Sequence, residues 1–272
     1  MDSVLIIGLL VLSLIAGLIG SLFGLGGGII VVPVLTILYG MDARSAMAIS
    51  LVAIAAISAT SASSHIKNRI ANVRIGLRLE VGAAAGAVAG AVIALHVQSW
   101  VLALCFSGVL IYSAIYMFVR PERIIPPGDN EENSFTYHDK ASGKDVGYEV
   151  RNINTGTIGF VAAGVTSALS GVGGGSIKIP VMNVHMHIPM KVAAATSSYV
   201  IGITAFSGAA VYLLSGVIDV QTAAFVTIGA FVGSVIGVRI LTMIDAGKLR
   251  RYFSVLLLFL AGVMLLNVGG II

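Results

Sequence analysis

The chain has 272 residues, of which 57% are hydrophobic and only 10% charged, and its mean hydropathy is +1.02. That composition excludes a water-facing globular surface over most of the length and marks an all-α integral membrane protein, multi-pass in the cell (inner) membrane. The net charge of +4 is no nucleic-acid footprint, because residues 120–151 hold five basic and seven acidic residues and the remaining basic residues sit mostly in short links between apolar runs.

A first apolar run at residues 3–22 lacks a basic leader and a small-residue cleavage signature, so it is expected as a retained helix. At residues 24–33 the chain then writes GLGGGIIVVP, with three adjacent glycines and a proline. A short run at 28–39 follows, then long runs at 45–64, 75–95 and 100–119. After a polar stretch the order recurs: a long run at 155–170, GVGGGSIKIP at 171–180, a short run at 175–186, and long runs at 192–214, 222–242 and 252–268. A spanning helix needs about 20 residues to cover about 30 Å. The eight long runs meet that length, whereas the two short ones, at about 18 Å of helix, are too short to cross alone. The expected organisation is a first transmembrane repeat at 1–120, a cytoplasmic polar loop at 121–152 and a second repeat at 153–272.

A shift of 147 residues places Gly24, Gly26, Gly27, Gly28, Ile30 and Pro33 on Gly171, Gly173, Gly174, Gly175, Ile177 and Pro180. With no gap it also places Ser50 on Ser197, and Gly82, Gly86 and Gly90 on Gly229, Gly233 and Gly237. Equivalent links differ in charge. Lys67, Arg69, Arg74 and Arg78 have no basic counterparts around residues 214–221, whereas uncharged HVQS corresponds to a region with Arg239, Lys248, Arg250 and Arg251. Basic links face the cytoplasm, so two inverted repeats of about five hydrophobic segments each are expected, with the central loop inside and both termini outside. Five crossings per half, or three crossings and a re-entrant hairpin, both satisfy the inversion. The stripes GAAAGAVAG and GAFVGSVIG let helices approach closely, within the monomer or at a homodimer seam.

A glycine costs about 1 kcal/mol in a helix interior and a proline about 3 kcal/mol, so each GxGGG…P marks a helix break. Two such breaks meeting near the midplane would line a polar cavity for an anion; a tight turn between packed helices is the plainer alternative. The doubled G-x-G-G-G-x-x-x-x-P motif, on Gly24, Gly26, Gly27, Gly28 and Pro33 and on Gly171, Gly173, Gly174, Gly175 and Pro180, resembles the sulfite exporter TauE/SafE family of membrane transporters. The resemblance spans nearly everything except residues 121–152. It implies a secondary transporter, by name an exporter, of small sulfur-containing or organic anions such as sulfite, with no cofactor.

The expected substrate-binding residues are Gly26, Gly27, Gly28, Ser50, Gly173, Gly174, Gly175, Lys178, Thr196, Ser197 and Ser198. Lys178 is an intramembrane cation where the first copy has Val31, with snorkelling to an interface as the alternative, and the hydroxyls can hydrogen-bond either an oxyanion or a neighbouring helix. Arg44 and Lys191, equivalent in the repeat, are candidates for gating or anion attraction, with membrane anchoring as the alternative. Glu80, two residues past Arg78, is read as an interfacial ion-pairing residue, with a proton site as the alternative, and His138 and Asp139 as part of a solvated turn. A copper-like metal-cation transporter is the alternative function, on Met182, His185 and Met186 sharing a helical face. No carboxylate or cysteine joins those three, and no H-E-x-x-H, G-x-S-x-G or phosphate loop supports an enzyme.

Overall fold

A computed structural model describes residues 3–94, 124–128 and 133–268, together with positions 108, 111, 114, 115, 118 and 119. Most of the expected run at 100–119, Cys105 within it, and the boundary at residue 120 lie outside the described residues. In chain order come α1 (Ser3–Phe23), α2 (Gly28–Pro33), α3 (Ala43–Lys67), α4 (Val73–Ala94), β1 (Ser134–Asp139) and β2 (Lys144–Glu149). Then follow α5 (Ile153–Ser170), α6 (Gly175–Pro180), α7 (Met190–Leu214), α8 (Val220–Met243) and α9 (Ala246–Val268). Among the described residues, five helices contain spans long and apolar enough to cross a bilayer: Ile6–Phe23, Arg44–Lys67, Val73–Ala94, Met190–Leu214 and Val220–Met243.

The short helices each hold six residues and run on into five-residue π-helical segments, Val34–Leu38 and Val181–His185. The widening begins right after Pro33 and Pro180. A proline ring crowds the carbonyl one turn back and donates no N–H, and a wider helical turn relieves both problems. Two of the long helices start with an aspartate cap. Asp42 caps α3 by accepting from the Arg44 N–H at 3.0 Å, and Asp219 caps α8 by accepting from the Thr222 N–H at 3.3 Å.

Packing follows the 147-residue repeat. Helix α1 lies against α8 and α4 against α5, while α3 crosses α7. The shift carries α1 to α5, α3 to α7 and α4 to α8, so each half's first helix rests on the other half's fourth. The glycine stripes make these crossings close. A Cβ on Gly86 would stand 2.3 Å from the Val161 carbonyl oxygen, and one on its equivalent Gly233 1.9 Å from that of Leu14. Gly90 and Gly237 repeat the pattern against the oxygens of Val165 and Leu18, at 2.4 and 2.2 Å. These stripes are therefore taken up by contacts within the monomer. Apolar side chains such as Val81, Ile158, Phe206 and Ile228 stay exposed on the opposite faces, as a lipid-facing surface requires.

The polar stretch is not the solvated turn expected at His138 and Asp139. It is an antiparallel hairpin running from Ser134 opposite Glu149 to Asp139 opposite Lys144. Strand alternation explains the difference: Tyr137 and Asp139 point inward while His138 between them faces out and meets Asp145 at 2.7 Å. Tyr137 packs edge-on against Tyr148, ring centroids 6.4 Å apart. The hairpin docks on both halves. Lys140 Nζ donates to Asn68 Oδ1 at 2.8 Å and Asn72 Nδ2 to the Tyr148 hydroxyl at 3.0 Å, both in the α3–α4 link. Lys191, at the start of α7, donates to Asp139 at 2.5 Å.

Candidate functional site

The two glycine turns meet at the centre of the molecule, and residues 24–28 and 171–175 are all buried. Gly27 and Gly174 precede the short helices with φ of 80° and 70°, left-handed values that glycine adopts without steric penalty. A Cβ on Gly28 would stand 2.2 Å from the Gly171 carbonyl oxygen, and one on Gly175 2.2 Å from the Gly24 oxygen. Ser50 Oγ donates to the Gly171 oxygen and Ser197 Oγ to the Gly24 oxygen, both at 2.7 Å. Each half thus closes the other's broken backbone. Gly26 and Gly173 complete the crossing against Ile54 and Ile201, themselves equivalent in the repeat.

In the conformation described, the two glycine turns pack directly against each other. The carbonyls of Gly24 and Gly171 find partners in the opposite half, and the short-helix starts abut a protein carbonyl. Thr196 and Ser198 are likewise engaged between elements: Thr196 Oγ1 accepts from the Asn72 N–H at 2.9 Å, and Ser198 Oγ donates to the Ser21 carbonyl at 3.2 Å.

The second copy of the turn differs from the first in polarity. Ser167, Ser176 and Lys178 occupy the positions of Gly20, Ile29 and Val31. Ser167 packs against the turn, its Cβ 3.2 Å from where a Gly174 side chain would begin. The hydroxyls of Ser167 and Ser176 are buried and make no hydrogen bond. A buried hydroxyl without a partner costs about 1–3 kcal/mol, so two of them beside one helix break are an unusual expense of stability.

Lys178 is fully buried, and its ammonium is not free for an external anion. It donates to Glu80 Oε2 at 2.7 Å and to Thr204 Oγ1 at 2.6 Å, 5.5 Å from the centre of the Phe160 ring. Glu80 accepts in addition from the Thr204 N–H at 2.9 Å and from the Thr204 hydroxyl. Glu80 is therefore not an interfacial partner of Arg78; it lies on the inward face of α4, 1% exposed. Losing one member of such a pair costs about 3–5 kcal/mol, because the other charge stays buried alone. Sequence reasoning missed the pairing because the partners are 98 residues apart.

Arg44 and Lys191, equivalent in sequence, diverge in space. Arg44 is exposed, whereas Lys191 is 2% exposed and engaged by Asp139, so its charge is neutralised by the hairpin. Burial acts to raise the Asp139 carboxyl. Hydrogen bonds from Lys191, Ser142 and the Ala141 N–H outweigh it and hold that carboxyl below its ordinary value. Burial likewise raises the Tyr148 phenol to about 12, despite the hydrogen bond from Asn72 that favours the anion. Beside the hairpin an open cleft of about 610 Å³ is lined by Arg78, Asn133, Arg151, Asn152 and Thr155, among others.

The copper-type reading gains no support. Met182 and Met186 are buried, and Met186 lies against Gly156. His185 Nε2 is held by Thr155 Oγ1 at 2.6 Å. Among the described residues, no group of three His, Cys, Asp or Glu side chains is placed to hold a metal.

Comparison with known proteins finds similar membrane transporters. The chain is 28% identical to the probable membrane transporter protein YunE of Bacillus subtilis, over 85% of this chain and 87% of that one. It is also 28% identical to a probable membrane transporter protein of Methanocaldococcus jannaschii, over 92% and 91%. No solved structure matches it. Residues 9–264 match the family described as Sulfite exporter TauE/SafE, so this apolar chain, with its two interlocked glycine turns, belongs to that family of membrane transporters.

Proposed function

We propose that the protein is a secondary transporter that exports a small sulfur-containing or organic anion such as sulfite. Its two halves are inverted in the membrane, and the anion binds near the midplane, beside the second glycine turn. The observation that carries this reading is the pair of buried, unpartnered hydroxyls: Ser167, packed against Gly174, and Ser176, two residues before Lys178. Hydroxyl donors and an ammonium suit an oxyanion, and their first-half equivalents Gly20, Ile29 and Val31 offer neither. Because the turns interlock as they stand, binding and release require the halves to part at the crossing, as alternating access demands. The cleft with Arg78 and Arg151 would serve as a vestibule on the face covered by the hairpin.

A thermal-shift series with sulfite, sulfate, thiosulfate and methanesulfonate tests the reading. A bound anion raises the melting temperature with the logarithm of its concentration. Ser176→Ala should weaken the best anion several-fold while leaving the unliganded protein no less stable, since the lost hydroxyl has no protein partner. The reading fails if none of these anions stabilises the protein and monovalent copper does.

A further inference from the structure

Resting on the anion reading, we propose that Lys178 and Glu80 form a proton-coupling site. The substrate anion replaces the Glu80 carboxylate as the partner of Lys178, and Glu80 takes up one proton as it is displaced. The site holds one positive and one negative charge before the exchange. Afterwards it holds the Lys178 ammonium, the anion and a neutral Glu80 acid. Net charge stays at zero throughout, and in a buried setting that is the only inexpensive route, because an uncompensated charge there is strongly disfavoured. One proton from the bulk is bound per monoanion bound, and no covalent bond other than the new O–H is formed.

Three observations support the exchange over a purely structural ion pair. First, the fold does not need the pair. The repeat equivalents of Lys178, Glu80 and Thr204 are Val31, Thr227 and Ile57, and the first half builds the same short-helix crossing with no charge at all. Second, Thr204 can hold Glu80 in both states. Its N–H donates to Oε1 at 2.9 Å whether or not the acid is protonated, and its hydroxyl, now donating to Glu80 and accepting from Lys178, can turn to accept from the protonated acid. Third, Lys178 lies on the same short helix as the unpartnered Ser176, so an anion bound there is next to the ammonium that Glu80 vacates.

Helices α4, α5 and α7 carry no carboxylate besides Glu80. Helix α5, packed against α4, has no ionisable residue. Helix α7 offers Lys191, engaged by Asp139, and Tyr199 and Tyr212, the latter donating to the Ala168 carbonyl at 2.9 Å. The remaining basic residues of α4, Arg74 and Arg78, sit in its first two turns.

The test is calorimetric titration of the purified full-length protein with methanesulfonate and with ethanesulfonate, monoanions that take up no proton near neutral pH. Each titration is run in two buffers of different ionisation enthalpy and across pH 6–9. The expected result is uptake of about one proton per methanesulfonate, with affinity falling about tenfold per pH unit in the range where Glu80 must be protonated to admit the anion. Glu80→Gln should bind the same anion with no proton uptake and no pH slope, and Lys178→Met should not bind it. Glu80→Asp, which keeps the charge on a shorter arm, should keep the proton uptake and move its pH range, so the test does not depend on one variant folding. Binding to the wild type without proton uptake overturns the coupling and leaves the anion reading standing. Uptake that persists in Glu80→Gln also overturns it. Failure of both anions to bind the wild type overturns the anion reading, and the coupling with it.

Discussion

Single side chains hold this molecule together across long sequence distances, and they can be tested one at a time. Ser50→Ala and Ser197→Ala each remove a hydrogen bond to a glycine carbonyl of the opposite half. Each should destabilise by about 1 kcal/mol, and by similar amounts, read as thermal unfolding in detergent. Asp139 gives a pH-dependent case. Its folded carboxyl is held below the ordinary value, so its contribution to hairpin docking is present above about pH 4 and is lost as pH falls through the lower folded value. Hydrogen exchange of the hairpin amides should therefore lose protection in acid, and Asp139→Asn should be weakly protected at all pH values. None of these partnerships was legible from sequence. Lys178 could be singled out as a buried cation, but nothing local in the sequence points to Glu80, and the strand phase that turns Asp139 inward is visible only once the hairpin register is known.

Among the elements, the long helices follow from hydrophobic length, and the glycine motif correctly marks where they stop. The ends of the predicted runs differ from the observed ones by a few residues, because polar caps such as Asp42 and Asp219 extend helices beyond their apolar segments. The π-helical turns after Pro33 and Pro180 were not foreseen, since their hydrogen-bond shift leaves no hydrophobic signature. The hairpin was also missed: only Phe135, Tyr137, Val146 and Tyr148 supply its apolar faces, too few to stand out in a polar stretch. Helix crossings are where substitution should be least tolerated. Gly86→Ala and Gly233→Ala both drive a methyl into a backbone carbonyl and should each cost about 1–3 kcal/mol or more. Gly262→Ala in α9 meets nothing within 4 Å and should be neutral or slightly stabilising. Equal melting temperatures for all three would refute the close-crossing account.

At the scale of the whole molecule, the proposed inversion is checked by accessibility. In a Cys105→Ala background, single cysteines at Lys67 and Lys248 should be shielded from an impermeant external thiol reagent, while one at Ser215 reacts. All three positions are exposed, so labelling reports the side of the membrane and not burial. Reaction of Lys67→Cys and Ser215→Cys from the same side would rule the inversion out. The repeat itself was readable because its register holds through glycines and serines that the close crossing requires. How the halves interlock was not readable, since a sequence shift states equivalence and says nothing of contact.

That interlocking has a bearing on biogenesis. The carbonyl of Gly24 finds its hydroxyl partner in Ser197, and that of Gly171 finds its own in Ser50. When the first half leaves the insertion machinery, its broken helix therefore still lacks the partner on which its central turn depends. Neither half is therefore expected to fold alone. Two half-chains expressed apart should be degraded, and expressed together they should rescue each other, because the last contact of the first half to form is supplied by the final third of the chain.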